Sequence, residues 1–153
     1  MRLSGRKPDD LIEDATGTSG ARPGEDRVRL CVLVVDDVED TRELYKRYFE
    51  FQGARVVTAG DGVAALQAAV FEKPDIIVLD LAMPGMTGWE VIQSLKNSPI
   101  TRRIPVVVLS GQSARESAMA AGADSYREKP CLPDELLAEL LRVLRRPPAA
   151  GSH

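Results

Sequence analysis

Short apolar runs alternate along the chain with longer segments whose apolar positions recur three or four residues apart. The runs cover residues 30–35, 54–59, 75–80 and 104–109, with a shorter and more polar run at 124–128. A continuous apolar run of this length is typical of a strand covered on both faces. The pattern predicts five strands, the polar fifth lying at an edge of the sheet.

The segments that follow the runs predict helices. The first predicted helix covers residues 41–52 and the fourth covers residues 112–121. The second ends before Pro74, and the third follows the turn at residues 83–88. The last has Pro133 in its first turn. The predicted apolar faces are Leu44, Tyr48 and Phe51; Ala65, Leu66, Ala69 and Val70; Trp89, Val91, Ile92 and Leu95; and Leu136, Leu137, Leu140, Leu141 and Leu144. Five strand–helix units predict an α/β fold with a doubly wound parallel sheet between helices.

Polar ends flank this region. Residues 1–27 contain only scattered apolar positions and are expected to form a disordered arm, since they cannot bury enough surface to offset the entropy of ordering. The folded domain is predicted to cover residues 28–146, and residues 147–153 a tail. Because that tail is short, we expect a stand-alone domain without an output domain of its own.

Composition excludes several classes of function. The 20 basic and 23 acidic residues give a net charge of −3, which offers no basic face for nucleic acid. A membrane span, which needs about 18 apolar residues, and a secretory leader are not evident, so a cytoplasmic protein is expected. Cys31 and Cys131 are interpreted as reduced thiols in or beside the core, and His153 as a tail residue.

Polar side chains stand where the predicted strands end. Asp36 and Asp37 follow the first strand, Asp80 ends the third, Ser110 follows the fourth, and Lys129 follows the fifth. Parallel strands place these positions on one rim of the sheet, where ligands of open α/β sheets bind. Three clustered carboxylates repel one another, and a hard divalent cation with oxygen ligands, Mg²⁺ or Mn²⁺, relieves that repulsion. The rim is therefore expected to handle phosphoryl groups.

The chain from about residue 30 to residue 144 resembles the receiver domains of two-component response regulators, the chemotaxis-protein-like group. The segments that carry the resemblance are Val35-Asp36-Asp37, Leu79-Asp80-Leu81-Ala82-Met83-Pro84-Gly85-Met86-Thr87-Gly88, Leu109-Ser110-Gly111 and Lys129-Pro130. The resemblance implies a flavodoxin-like strand order 2-1-3-4-5 with helices on both faces. It also implies a switch protein rather than an enzyme, apart from the chemistry of its own phosphorylation and dephosphorylation.

The resemblance further implies roles at the metal. Asp80 would be the nucleophile that becomes an acyl phosphate, in a reaction that depends on Mg²⁺. Asp37 would bind the metal directly, Asp36 directly or through water, and the backbone carbonyl of Ala82 would be a further ligand.

Other roles concern the phosphoryl group and the switch. Ser110 and Lys129 would contact phosphoryl oxygens, and Tyr126 would be the aromatic that moves inward with Ser110. The Lys129-Pro130 bond is often cis in this family. The phosphoryl donor would be a histidine kinase or a histidine phosphotransfer protein. An unknown output protein, or a second copy in a homodimer, would bind the face formed by the fourth helix, fifth strand and fifth helix.

Plainer interpretations of single residues stay open. Asp36 or Asp37 could cap the first helix, and Tyr126 could be edge-strand packing. The arginines at the end of the last helix, Arg142, Arg145 and Arg146, are explained by the helix dipole without a partner. Gln112, two residues after Ser110, could reach a water that attacks the acyl phosphate.

Two other functions compete. A receiver-like scaffold that is never phosphorylated typically lacks the acidic pair, the acceptor or the lysine, whereas this chain has all of them. An aspartate-dependent phosphatase of the haloacid dehalogenase type carries Asp-x-Asp after its first strand, whereas this chain has Asp36-Asp37 followed by Val38.

Overall fold

The structure, a computed structural model, describes residues 29–111 and 113–147. Strands and helices alternate in the order β1 (Cys31–Val35), α1 (Glu39–Phe51), β2 (Arg55–Ala59), α2 (Gly62–Glu72), β3 (Ile76–Leu79), α3 (Gly88–Asn97), β4 (Val106–Ser110), α4 (Arg115–Ala121), β5 (Ser125–Glu128) and α5 (Pro133–Arg145). The predicted arm, the end of the predicted tail with His153, and Gln112 lie outside the described residues.

The five strands form one parallel sheet in the order β2-β1-β3-β4-β5, which confirms the expected topology. Val35 at the end of β1 is in register with Ala59 of β2 and with Leu79 of β3. The neighbouring strands therefore end at the same level, and the residues that follow them share one rim. β5 is an edge strand, as its polarity predicted, with Arg127 and Glu128 exposed.

The sheet divides the core into two layers. On one face, Val32 and Val34 of β1 pack in a cluster with side chains of α1 and α5. On the other, Leu33 and Val35 pack with side chains of α2, α3 and α4. Successive side chains of a strand point to opposite faces, so β1 is buried along its whole length, as a continuous apolar run predicts.

The predicted apolar face of α1 is correct for Tyr48, which packs against the core, but wrong for Leu44 and Phe51. The helix buries Tyr45 and Phe49, whereas Leu44 is 53% exposed and Phe51 is 83% exposed. The segment carries two apolar stripes side by side, and helical spacing alone does not rank them. α1 also begins at Glu39, two residues earlier than expected, and α4 begins at Arg115, three residues later than expected.

The remaining predicted faces agree with the structure. α5 begins with Pro133 in its first turn and buries Leu136, Leu137, Leu140 and Leu141. Within the described ranges, no helix is both long enough and apolar enough to cross a bilayer.

Candidate functional site

Three carboxylates meet on the rim where β1 and β3 end. Asp36 is 2% exposed and Asp80 is 5% exposed, while Asp37 is exposed. One carboxylate oxygen from each residue lies within 4.8 Å of the others. The sheet positions the two buried residues, because Asp36 N–H donates to Ala59 O at 3.2 Å and Asp80 N–H donates to Val35 O at 3.0 Å.

Lys129 follows the edge strand β5 and brings a positive charge to the same rim. Its Nζ lies 2.8 Å from Asp36 Oδ2 and 3.8 Å from Asp80 Oδ2. Its backbone N–H donates to Ser110 O at 2.8 Å, so β4 holds the start of the β5–α5 segment. The expected meeting of carboxylates and lysine is thus confirmed, and the Lys129-Pro130 bond is cis.

The electrostatics of Asp80 follow from this crowding. Burial is the main reason that the pKa of Asp80 is raised, and the charges of Asp36 and Asp37 raise it further. The Lys129 ammonium and the hydrogen bond from Ala82 N–H, 3.3 Å from Asp80 Oδ1, act in the opposite direction. A carboxylate whose charge is this poorly solvated gains from any added positive charge.

The donor set fits a hard divalent cation. Three carboxylates whose oxygens lie within 4.8 Å of one another, with oxygen as the only donor atom, suit Mg²⁺ or Mn²⁺ rather than zinc. The alternative that Asp36 or Asp37 is the N-cap of α1 is wrong, because the N-cap is Val38. Asp36 Oδ1 instead accepts a hydrogen bond from Val38 N–H at 2.9 Å, which orients the carboxylate.

Two residues that shape the rim received no role from the sequence. Arg42 of α1 donates from Nη1 to Asp36 O at 2.7 Å, so a cation braces the loop that carries the acidic pair. Gly88 donates its N–H to Leu81 O at 3.0 Å, and a Cβ at its position would lie 2.6 Å from Asp80 O. Gly88 is part of the segment Met86-Thr87-Gly88 that carries the resemblance to receiver domains, but only the fold shows which backbone this glycine approaches.

Ser110 and Tyr126 belong to the last two strands of the sheet, β4 and β5. Ser110 ends β4 and is fully buried. Tyr126 is 2% exposed, and its hydroxyl accepts a hydrogen bond from Ala114 N–H at 3.0 Å. The Arg115 guanidinium lies 5.2 Å from the centre of the Tyr126 ring and donates to Tyr126 O at 3.2 Å, so this tyrosine is held inward by the start of α4.

Other candidate residues lie apart from the rim or have partners of their own. Cys31 and Cys131 are buried free thiols, as predicted, and burial raises the pKa of each. Arg142 pairs with the buried Glu139, which also accepts a hydrogen bond from Ser125. Arg142 thus has a partner within the domain, in addition to the helix dipole.

Comparison with known proteins agrees with this geometry. A model of the response regulator receiver domain matches residues 32–141. The response regulator MprA of Mycobacterium ulcerans (strain Agy99) is 40% identical over 118 residues, which cover 75% of this chain and 50% of that protein. MprA of Mycobacterium leprae (strain TN) is 39% identical over 118 residues, with 75% and 51% covered. The chain spans about half the length of these curated relatives.

Solved structures share the fold. The chemotaxis response regulator CheY4 of Vibrio cholerae superimposes with a TM-score of 0.69 at 32% identity, covering 74% of this chain and 98% of that one. The receiver domain of the Francisella response regulator 1452 gives a TM-score of 0.71 at 29% identity, covering 77% and 98%.

Proposed function

The chain belongs to the response regulator receiver domain family of two-component signalling, and on that basis we propose that Asp80 accepts a phosphoryl group. The donor is a histidine kinase or a histidine phosphotransfer protein. The observation that carries the proposal is the placement of Lys129 Nζ 3.8 Å from a buried carboxylate that two further aspartates surround. A lysine ammonium this close to the Asp80 carboxylate can pair with the negative charge of a phosphoryl group attached to it.

In the proposed reaction an Asp80 carboxylate oxygen attacks phosphorus. The bond from phosphorus to the donor atom breaks, and the donor leaves with the electron pair. Lys129 balances charge on the phosphoryl oxygens, and Ser110 binds another of those oxygens. Asp80 acts as the nucleophile in its ionised form; burial raises the pKa of Asp80, and the Lys129 ammonium opposes that rise and so favours the ionised form.

Asp36, Asp37 and Asp80 would hold Mg²⁺ or Mn²⁺, with the carbonyl of Ala82 as a further ligand. When bound, the metal neutralises charge that develops on the transferring group. The protein's own contribution is to keep three oxygen donors within 4.8 Å in the segments that directly follow β1 and β3. The turnover is limited to this phosphorylation and its reversal, so the protein is proposed not to be an enzyme acting on other substrates.

Output is proposed to pass through the α4-β5-α5 face. A phosphoryl group adds about −1.5 to −2 charges at pH 7 and can bias an element that has two positions. Tyr126 joins β5 to the start of α4 through its hydrogen bond with Ala114. In this proposal, movement of Ser110 toward the phosphoryl group would change the positions of residues on that face. The partner there is an output protein or a second copy of the chain. A cytoplasmic location and a hydrolytic role for Gln112 stay predictions.

The test is labelling with a small acyl phosphate in the presence of Mg²⁺. Wild-type protein should gain one phosphoryl group by intact mass, and Asp80→Asn should gain none. Asp61→Asn is the matched control, because Asp61 caps α2 from the same rim and asparagine caps equally well. It should be labelled like the wild type. Labelling of Asp80→Asn would contradict the acceptor assignment, and no labelling of any protein would favour the scaffold.

A further inference from the structure

A buried hydroxyl ties the lysine-bearing segment to the first helix. Tyr45 of α1 donates from its hydroxyl to Cys131 O at 2.6 Å, a contact that spans 86 positions of the sequence. Tyr45 and Cys131 belong to the same buried cluster. The Cys131 carbonyl stands two residues after Lys129, so the bond holds the backbone just beyond the lysine.

The segment is fixed at both of its ends. Lys129 N–H donates to Ser110 O at 2.8 Å, which joins the segment to β4. The Tyr45 hydroxyl joins the other end to α1, the helix that begins three residues after Asp36. One helix thus follows the acidic pair and also holds the loop whose ammonium reaches that pair.

The Tyr45 hydroxyl remains a hydrogen-bond donor at neutral pH. Burial is the main reason that the pKa of Tyr45 is raised to about 12, with Cys131, Asp36 and Glu135 adding to the effect. The phenol therefore stays protonated at neutral pH. Its ring packs against Phe49 with ring centres 6.0 Å apart, which restricts the direction in which the hydroxyl points.

We infer that Tyr45 is a positioning residue that fixes the Lys129 loop, so that the ammonium lies within reach of both Asp36 and Asp80. The inference rests on the proposed function of Asp80. Without the hydroxyl, the Cys131 carbonyl loses a buried partner and the loop gains alternative positions. In those positions the ammonium lies further from Asp80, and phosphoryl transfer slows.

The experiment is a double-mutant cycle on the rate of Asp80 labelling by a small acyl phosphate with Mg²⁺. Tyr45→Phe, Lys129→Ala and the double variant are compared with wild-type protein. Tyr45→Phe should slow labelling by about fivefold, the factor that one hydrogen bond contributes to an equilibrium. In the Lys129→Ala background the same change should have almost no effect, because the group that Tyr45 positions is gone.

Two further variants separate positioning from general destabilisation. Tyr48→Phe removes a hydroxyl from the same helix and leaves the bond to Cys131 intact, so it should be labelled at the wild-type rate. Tyr45→Met removes the hydroxyl and keeps a long apolar side chain, and it should show the same loss as Tyr45→Phe.

The outcomes are distinct. A wild-type rate in both Tyr45 variants, or the same slowing with and without Lys129, would overturn the positioning role while leaving Asp80 as acceptor. A wild-type protein that is not labelled at Asp80 would overturn the proposed function itself, and this inference with it.

Discussion

Gly88→Ala should damage the site although it adds a single methyl group. The new Cβ would lie 2.6 Å from Asp80 O, 2.6 Å from Leu81 Cα and 3.0 Å from Leu81 Cδ2. Ordinary contacts begin at 3.4 Å, so the helix start and the Asp80 backbone must separate by most of an ångström. Two of the three obstacles are backbone atoms, which cannot rotate away.

The magnitude follows from two opposing effects. Alanine favours a helix over glycine by up to about 1 kcal/mol. Overpacking against backbone costs about 1–3 kcal/mol, so we expect a net loss of about 1–2 kcal/mol in the free energy of unfolding. A shift of the Asp80 main chain also moves its carboxylate, and a misplacement of about 1 Å can slow a reaction about a hundredfold. We expect labelling to slow at least about tenfold.

Urea unfolding and the labelling time course measure the two effects. Gly111→Ala is the matched control, because it lies beside Ser110 on the same rim and its Cβ would meet nothing within 4 Å. Its stability should stay within about 0.5 kcal/mol of the wild type. If Gly88→Ala were as stable and as quickly labelled as Gly111→Ala, the close approach to Asp80 would not constrain the site.

Three further predictions concern charge and core. Asp80→Asn should raise the melting temperature at neutral pH in a chelating buffer. The pKa of Asp80 is raised mainly by burial, so its ionised form costs stability above that pKa, and the gain should disappear in acid. A difference in melting temperature that persists in acid would contradict this reasoning. Glu139→Gln should flatten the acid side of the urea-stability profile, since burial raises the pKa of Glu139 but hydrogen bonds such as that from Arg142 outweigh it and lower the pKa. That contribution is present at neutral pH and is lost as the pH falls below about 5, and parallel acid limbs would refute it. Phe49→Ala should lower the free energy of unfolding in urea by about 3–5 kcal/mol, because Phe49 is buried, whereas Phe51→Ala should lower it by about 0.5 kcal/mol or less, because Phe51 is exposed. Equal losses for the two variants would contradict the observed buried face of α1.

The sequence pattern by itself was enough for the strand and helix elements and for the meeting of charged groups at one rim, whereas the strand order followed from the resemblance to receiver domains. Side chains alternate along strands and recur along helices, so apolar runs reveal the elements without tertiary information. Parallel strands end at a common edge, so Asp36, Asp80 and Lys129 could be placed together from their positions after three strands. The observed contact of Lys129 with both carboxylates agrees with that reasoning.

Only the tertiary structure decided which stripe of α1 is buried and which distant groups touch. Leu44 and Phe51 recur at helical spacing as well as Tyr45 and Phe49 do, and docking against the sheet and α5 selects the second pair. The hydrogen bond of Gly88 N–H to Leu81 O, beside Asp80, and that of the Tyr45 hydroxyl to Cys131 O join segments that no local pattern relates. Periodicity shows which positions can share a face, whereas a contact between distant segments depends on how the completed layers pack.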